Sequence, residues 1–85
     1  MLAVDVDGTL LAGNHPRKRV VDQVKAKHND GYQIIVWSSA GEDHANQAVE
    51  LCGIAEIVHA VISKPGYILD DQRWGWIKYT KVLRF

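Results

Sequence analysis

The chain has 85 residues and an apolar share of 47%, which suits one small, marginally stable folded domain and excludes a disordered segment. Ten basic and ten acidic residues cancel, so no overall positive field selects nucleic acid over other anions. The single cysteine, Cys52, excludes a disulfide framework and a thiolate metal site, and in Ala48-Val49-Glu50-Leu51-Cys52 it reads as a small core residue.

The chain enters directly at Met1-Leu2-Ala3-Val4-Asp5, with no basic leader and no long apolar stretch. Neither a signal peptide nor a membrane span is expected, and the default setting is reducing and cytoplasmic. Leu2 to Val6 is an apolar run broken only by Asp5, which predicts a strand buried on both faces. Asp7-Gly8 ends it with turn chemistry. Residues 10 to 15 form a loop, with Gly13-Asn14 as its turn.

A helix is predicted from near Pro16, a residue suited to the first helical position. Val20, Val21 and Val24 give it an apolar stripe, and Gly31 lies just past its end. Gln33 to Trp37 predicts a second buried strand. Ser39-Ala40-Gly41-Glu42 matches a capping box, so a second helix should run from about Glu42 to Cys52 and stop at Gly53. Ile57 to Ile62 predicts a third strand. Tyr67-Ile68-Leu69 predicts a short fourth strand ending at Asp70-Asp71. The tail, residues 74–85, fits either a strand or a helix. Its Trp74 and Trp76 suit packing better than base stacking.

Strands alternating with helices predict parallel βαβ units, and ligands of such sheets bind beyond the carboxyl ends of the strands. The predicted strand ends carry Asp5 and Asp7, then Ser38 and Ser39, then Asp70 and Asp71. Carboxylates gathered on one edge repel unless a cation neutralises them. Their hard oxygens favour magnesium, which commonly shares its sphere with a substrate phosphate. One carboxylate would attack phosphorus and a second would move the proton. A serine hydroxyl and backbone N–H groups at a helix start would hold phosphate oxygens.

Asp5-Val6-Asp7-Gly8-Thr9-Leu10 after an apolar strand resembles the first motif of the haloacid dehalogenase-like hydrolases. Ile34-Ile35-Val36-Trp37-Ser38 resembles the second motif of that family, and Tyr67-Ile68-Leu69-Asp70-Asp71 its fourth. The motifs stand in the family's order and span nearly the whole chain. The resemblance implies a single domain over residues 1–85: a three-layer, Rossmann-like α/β fold with a small central parallel sheet and no cap domain. It implies a magnesium-dependent phosphatase with Asp5 as nucleophile and metal ligand. Asp7 would be the acid/base, with its backbone carbonyl on the metal. Gly8, Thr9, Ser38 and Ser39 would line the phosphate, with Ser38 on the transferring phosphoryl group. Asp70 would complete the magnesium sphere, and Asp71 would support it, either on the ion itself or from behind its ligands. The second aspartate, Asp7, matches the phosphatase branch rather than the dehalogenase branch. The implied substrate is a phosphate monoester, either a small molecule or an exposed phosphate on a protein or nucleic acid.

The family's third motif is a lysine, for which Lys64 in Ser63-Lys64-Pro65 is the candidate. If residues 65 to 70 form a strand ending at the site, Lys64 lies roughly 20 Å below it. If Lys64 ends the third strand it is well placed, but Pro65-Gly66 is too short a crossover to a parallel fourth strand. Either the third strand or the crossover must depart from the pattern.

Other readings of these residues are weaker. An EF-hand loop fails because Leu10 stands where glycine is required and no helix fits before Asp5. A receiver-type phosphoacceptor needs its aspartate at a middle strand, and Gln33 to Ser38 ends without one. A catalytically silent member that holds magnesium and a phosphorylated partner is the alternative to an enzyme. Ser39 is also explained as a helix cap, Glu42 and Asp43 by the helix dipole, and His15, His28, His44 and His59 share no ligand spacing. Arg17-Lys18-Arg19 opposes the dipole of the first helix. These cations are expected either to draw an anionic substrate to the site or to form a solvated turn.

Overall fold

The computed structural model describes residues 1–73, 75 and 80–85. In chain order the elements are β1 (Leu2–Asp5), β2 (Leu11–Ala12), β3 (His15–Pro16), α1 (Lys18–Asn29), β4 (Ile34–Ser38), α2 (Glu42–Cys52) and β5 (Val58–Ser63). Strands β1, β4 and β5 form a parallel sheet in that order. Helix α1 connects β1 to its neighbour β4, and α2 connects β4 to its neighbour β5. The predicted β-α-β-α-β alternation is therefore present, as a compact α/β fold with a small parallel sheet and two helices.

The middle strand forms because Ile34, Ile35 and Val36 can be buried on both faces; all three are buried. Val4, Val6, Ile34 and Val36 join Val20, Val21 and Val24 of α1 and Ala45, Ala48 and Val49 of α2 in a single core cluster. That core lies on the sheet face that both helices cover. Alternation puts Ala3, Ile35 and Trp37 on the other face. No helix of the described residues covers that face. No helix among them is long and apolar enough to cross a membrane.

Helix ends follow local chemistry. Gly53 adopts φ 67°, ψ 31°, and the N–H of Ile54 returns to the Val49 carbonyl, closing α2 where glycine carries no Cβ penalty. Lys27 and His28 occupy the last turn of α1, where cations favour the dipole.

Four expectations are corrected. Helix α1 begins at Lys18, with Arg17 as its cap residue. Pro16 instead pairs with Leu11 in the β2–β3 ribbon, which folds residues 11–16 over Gly13-Asn14. The capping box does not form: Gly41 caps α2 and no side chain does so. The third strand starts one residue late, at Val58, and extends to Ser63. The fourth strand is absent. Tyr67 is 98% exposed and Leu69 is fully exposed, and residues 67–70 carry no strand. The chain leaves β5 with only Pro65-Gly66 before this segment, and a parallel return to the free side of β1 needs a dozen residues or more. Of the tail, Trp74, Trp76 and residues 77–79 lie outside the described residues, and 80–85 are neither strand nor helix.

Candidate active site at the carboxyl edge of the sheet

Asp5, Trp37 and Ile62 stand side by side across β1, β4 and β5. Neighbours at one level of a sheet share a face, so all three point the same way. Lys64 lies two residues beyond Ile62 and follows onto that face. Its Nζ passes 5.9 Å from the centre of the Trp37 ring and comes to 3.1 Å from Asp5 Oδ1. Adjacent strands lie about 4.8 Å apart, so the outer strands are separated by roughly 10 Å. A lysine stem reaches most of that distance.

After β1 the chain turns tightly. The N–H groups of Thr9 and Leu11 both donate to the Val6 carbonyl, at 3.1 and 3.0 Å, and Gly8 N–H donates to the Leu11 carbonyl at 2.8 Å. Gly8 has φ 81°, a value glycine adopts without steric cost. Leu10 and Leu11 bury beneath the turn and hold it to the core. Asp7 is left at the rim with its side chain 62% exposed. It meets His44 of α2, whose Nε2 stands 3.0 Å from both Oδ1 and Oδ2. In the sequence His44 shares no ligand spacing with the other histidines and stands 37 positions from Asp7, so the pairing was not expected. One signal was available. His44 sits in the first turn of a helix that starts at the carboxyl edge, where first-turn side chains meet the site.

The predicted phosphate-binding groups are placed unevenly. Ser38 is 2% exposed, and its Oγ accepts the Ala40 N–H at 3.0 Å, leaving the hydroxyl hydrogen to donate elsewhere. Its carbonyl accepts N–H bonds from both Gly41 (3.2 Å) and Lys64 (3.0 Å). Ser39 is exposed in the turn before α2. The N–H groups of Gly8 and Thr9 are committed to the turn. Thr9 Oγ1 donates to Asp5 Oδ2 across a long 3.4 Å. Arg17 donates to the Gly8 carbonyl at 2.8 Å, and Lys18 pairs with Asp22 one helical turn on.

Asp70 and Asp71 are not joined to Asp5 and Asp7. Asp70 Oδ1 accepts the Gln72 N–H at 2.7 Å in a local turn, and Asp71 Oδ2 lies 3.4 Å from Gln72 Nε2. Among the described residues no three histidine, cysteine, aspartate or glutamate side chains converge to hold a metal ion. Asp70 and Asp71, which the resemblance placed around the magnesium, are instead held to Gln72 in a segment that forms no strand. Asp5 and Asp7 remain at the edge. Magnesium commonly takes only one or two protein carboxylates and fills its octahedron with waters and substrate phosphate. The Asp5–Asp7 pair fits that smaller donor set.

Compared with protein-family models, with curated proteins and with solved structures, the chain matches none of them.

Proposed function

We propose that this chain is a magnesium-dependent phosphohydrolase of the haloacid dehalogenase-like type that cleaves phosphate monoesters through an aspartyl-phosphate at Asp5. The observation that carries the reading is the Asp5–Lys64 contact of 3.1 Å at the carboxyl edge of a parallel sheet, with Asp7 two residues further on. A nucleophilic carboxylate must approach a phosphate dianion, and a lysine between them offsets the repulsion.

In the proposed reaction an Asp5 oxygen attacks phosphorus and the bond to the ester oxygen breaks. Asp7 gives its proton to the departing alcohol. Water then attacks the phosphorus of the acyl phosphate. Asp7 takes a proton from that water, the Asp5–phosphorus bond breaks, and phosphate leaves. Ser38 donates its hydroxyl hydrogen to a phosphate oxygen. Asp5 and the Asp7 carbonyl would hold the magnesium, which would supply positive charge to offset that developing on the phosphoryl oxygens. The exposed rim suits a small phosphate ester or a phosphate displayed on a macromolecule. A cytoplasmic setting accords with the free thiol of Cys52.

The test is release of phosphate from p-nitrophenyl phosphate with magnesium. Asp5→Asn should remove it, a loss of at least about 1,000-fold, or roughly 4 kcal/mol of barrier. Equal activity of Asp5→Asn and the unmodified protein would refute the mechanism.

The separation of Asp70 and Asp71 from the rim pair favours a second reading, a module that holds magnesium and a phosphorylated partner without turnover. Magnesium-dependent binding of a phosphate ester with no hydrolysis of any ester would select it.

A further inference from the structure

We infer that His44 is a positioning residue for Asp7: it holds the carboxylate in the one orientation from which a proton can reach the leaving oxygen. The inference rests on the phosphohydrolase reading and deepens it. A side chain as exposed as that of Asp7 has several rotamers open to it, and each rotamer not aimed at the ester oxygen is unproductive. The contact with His44 removes that freedom. Nε2 is 3.0 Å from both oxygens, so an N–H there is shared between them. One oxygen stays held while the other carries the proton. The imidazole is itself placed by the backbone: it belongs to the first turn of α2, whose Ala45 and Ala48 are packed in the core. A rigid helix thus reaches across to the turn that bears the acid, and couples the two parts of the rim.

The reactivity of a series of aryl phosphates reads this role directly. Esters of acidic phenols expel their leaving group without a proton, whereas esters of weakly acidic phenols need one. A misplaced Asp7 therefore slows phenyl phosphate more than p-nitrophenyl phosphate. His44→Ala should lower kcat/KM for phenyl phosphate about tenfold and for p-nitrophenyl phosphate by about twofold or less. His44→Gln, which can present an N–H near the position of Nε2, should recover most of the loss. A merely structural role would lower both esters by one common factor, and that result overturns the inference, as does no loss at all.

A second readout needs no turnover. In the isotope-labelled protein, three-bond couplings across Cα–Cβ of Asp7 report its rotamer. They should show one rotamer in the unmodified protein and in His44→Gln, and averaging in His44→Ala. If the unmodified protein hydrolyses no ester, the phosphohydrolase reading fails and the couplings alone decide. A single Asp7 rotamer that survives His44→Ala overturns the positioning role.

Discussion

Lys64 Nζ meets Asp5 Oδ1 at 3.1 Å by crossing the middle strand over the face of Trp37. The contact joins the two outer strands of the sheet at the edge where β1 ends. Both side chains are partly exposed, so the ion pair contributes little to folding, on the order of 1 kcal/mol or less. In the proposed reaction its effect on an incoming phosphate would be larger, because the lysine would neutralise charge where two anions must meet.

Lys64→Met keeps the stem and removes the charge. We expect kcat/KM for p-nitrophenyl phosphate to fall about 100-fold, while the urea midpoint moves by no more than about 1 kcal/mol in equivalent stability. Steady-state kinetics beside urea unfolding separates the two effects. Full activity in Lys64→Met removes the lysine from the mechanism.

Arg17, Lys18 and Arg19 were expected either to draw an anionic substrate to the site or to form a solvated turn. In the fold Lys18 is paired with Asp22 at 2.6 Å, and Arg17 is tied to the Gly8 carbonyl beside Asp7. Replacing all three with glutamine should raise KM for a charged ester about threefold, and 0.5 M salt should shrink the difference as screening takes hold. Arg17→Gln alone should reproduce most of the effect. An unchanged KM in the triple variant ends the idea of attraction.

Ile34 is fully buried at the start of the middle strand, while Leu51 on α2 is half exposed. Ile34→Val should cost about 1 kcal/mol, and Leu51→Ala less than about 0.5 kcal/mol, measured by urea unfolding. Equal costs would mean that the core does not lie between the sheet and the helices.

Burial pushes the Cys52 thiol above its ordinary range. Thiolate is the reactive form, so native Cys52 should react with a disulfide reagent at pH 8 several-fold more slowly than in urea. The sign for stability follows. A raised folded-state value means that the folded protein keeps its proton longer. This contribution is fully present below the unfolded thiol value and is lost as pH rises through the folded one. Cys52→Ala should therefore flatten part of the alkaline decline in stability.

Much of the fold was legible because its signals are local and periodic. Three apolar runs became β1, β4 and β5, the valines of α1 face the core, and Gly53 stops α2. The fourth strand misled because three apolar residues before a pair of aspartates look like a strand in isolation. Pairing depends on a route back to β1, and Pro65-Gly66 provides none. The same shortage of chain separates Asp70 and Asp71 from the rim. Lys64 posed a conflict for the same reason, and the extension of β5 to Ser63 places it at the edge. His44 was not visible because its partner is far away in sequence and only the start of α2 brings them together. Ser39 misled because a cap motif predicts a hydrogen bond that the glycine-led turn at Gly41 does not need.

The Ser38 carbonyl accepts N–H bonds from both Gly41 and Lys64. One oxygen atom is thus a common hinge pin for two side chains that meet the rim aspartates, His44 and Lys64. Through Gly41 it sets where α2 starts, and with it His44; through the Lys64 backbone it sets the root of the lysine stem. A shift of that atom would displace both side chains together and loosen the contacts that each makes with its aspartate. Substitutions in the interior of β4 should therefore disturb the partners of Asp5 and Asp7 as a pair, even when they touch neither.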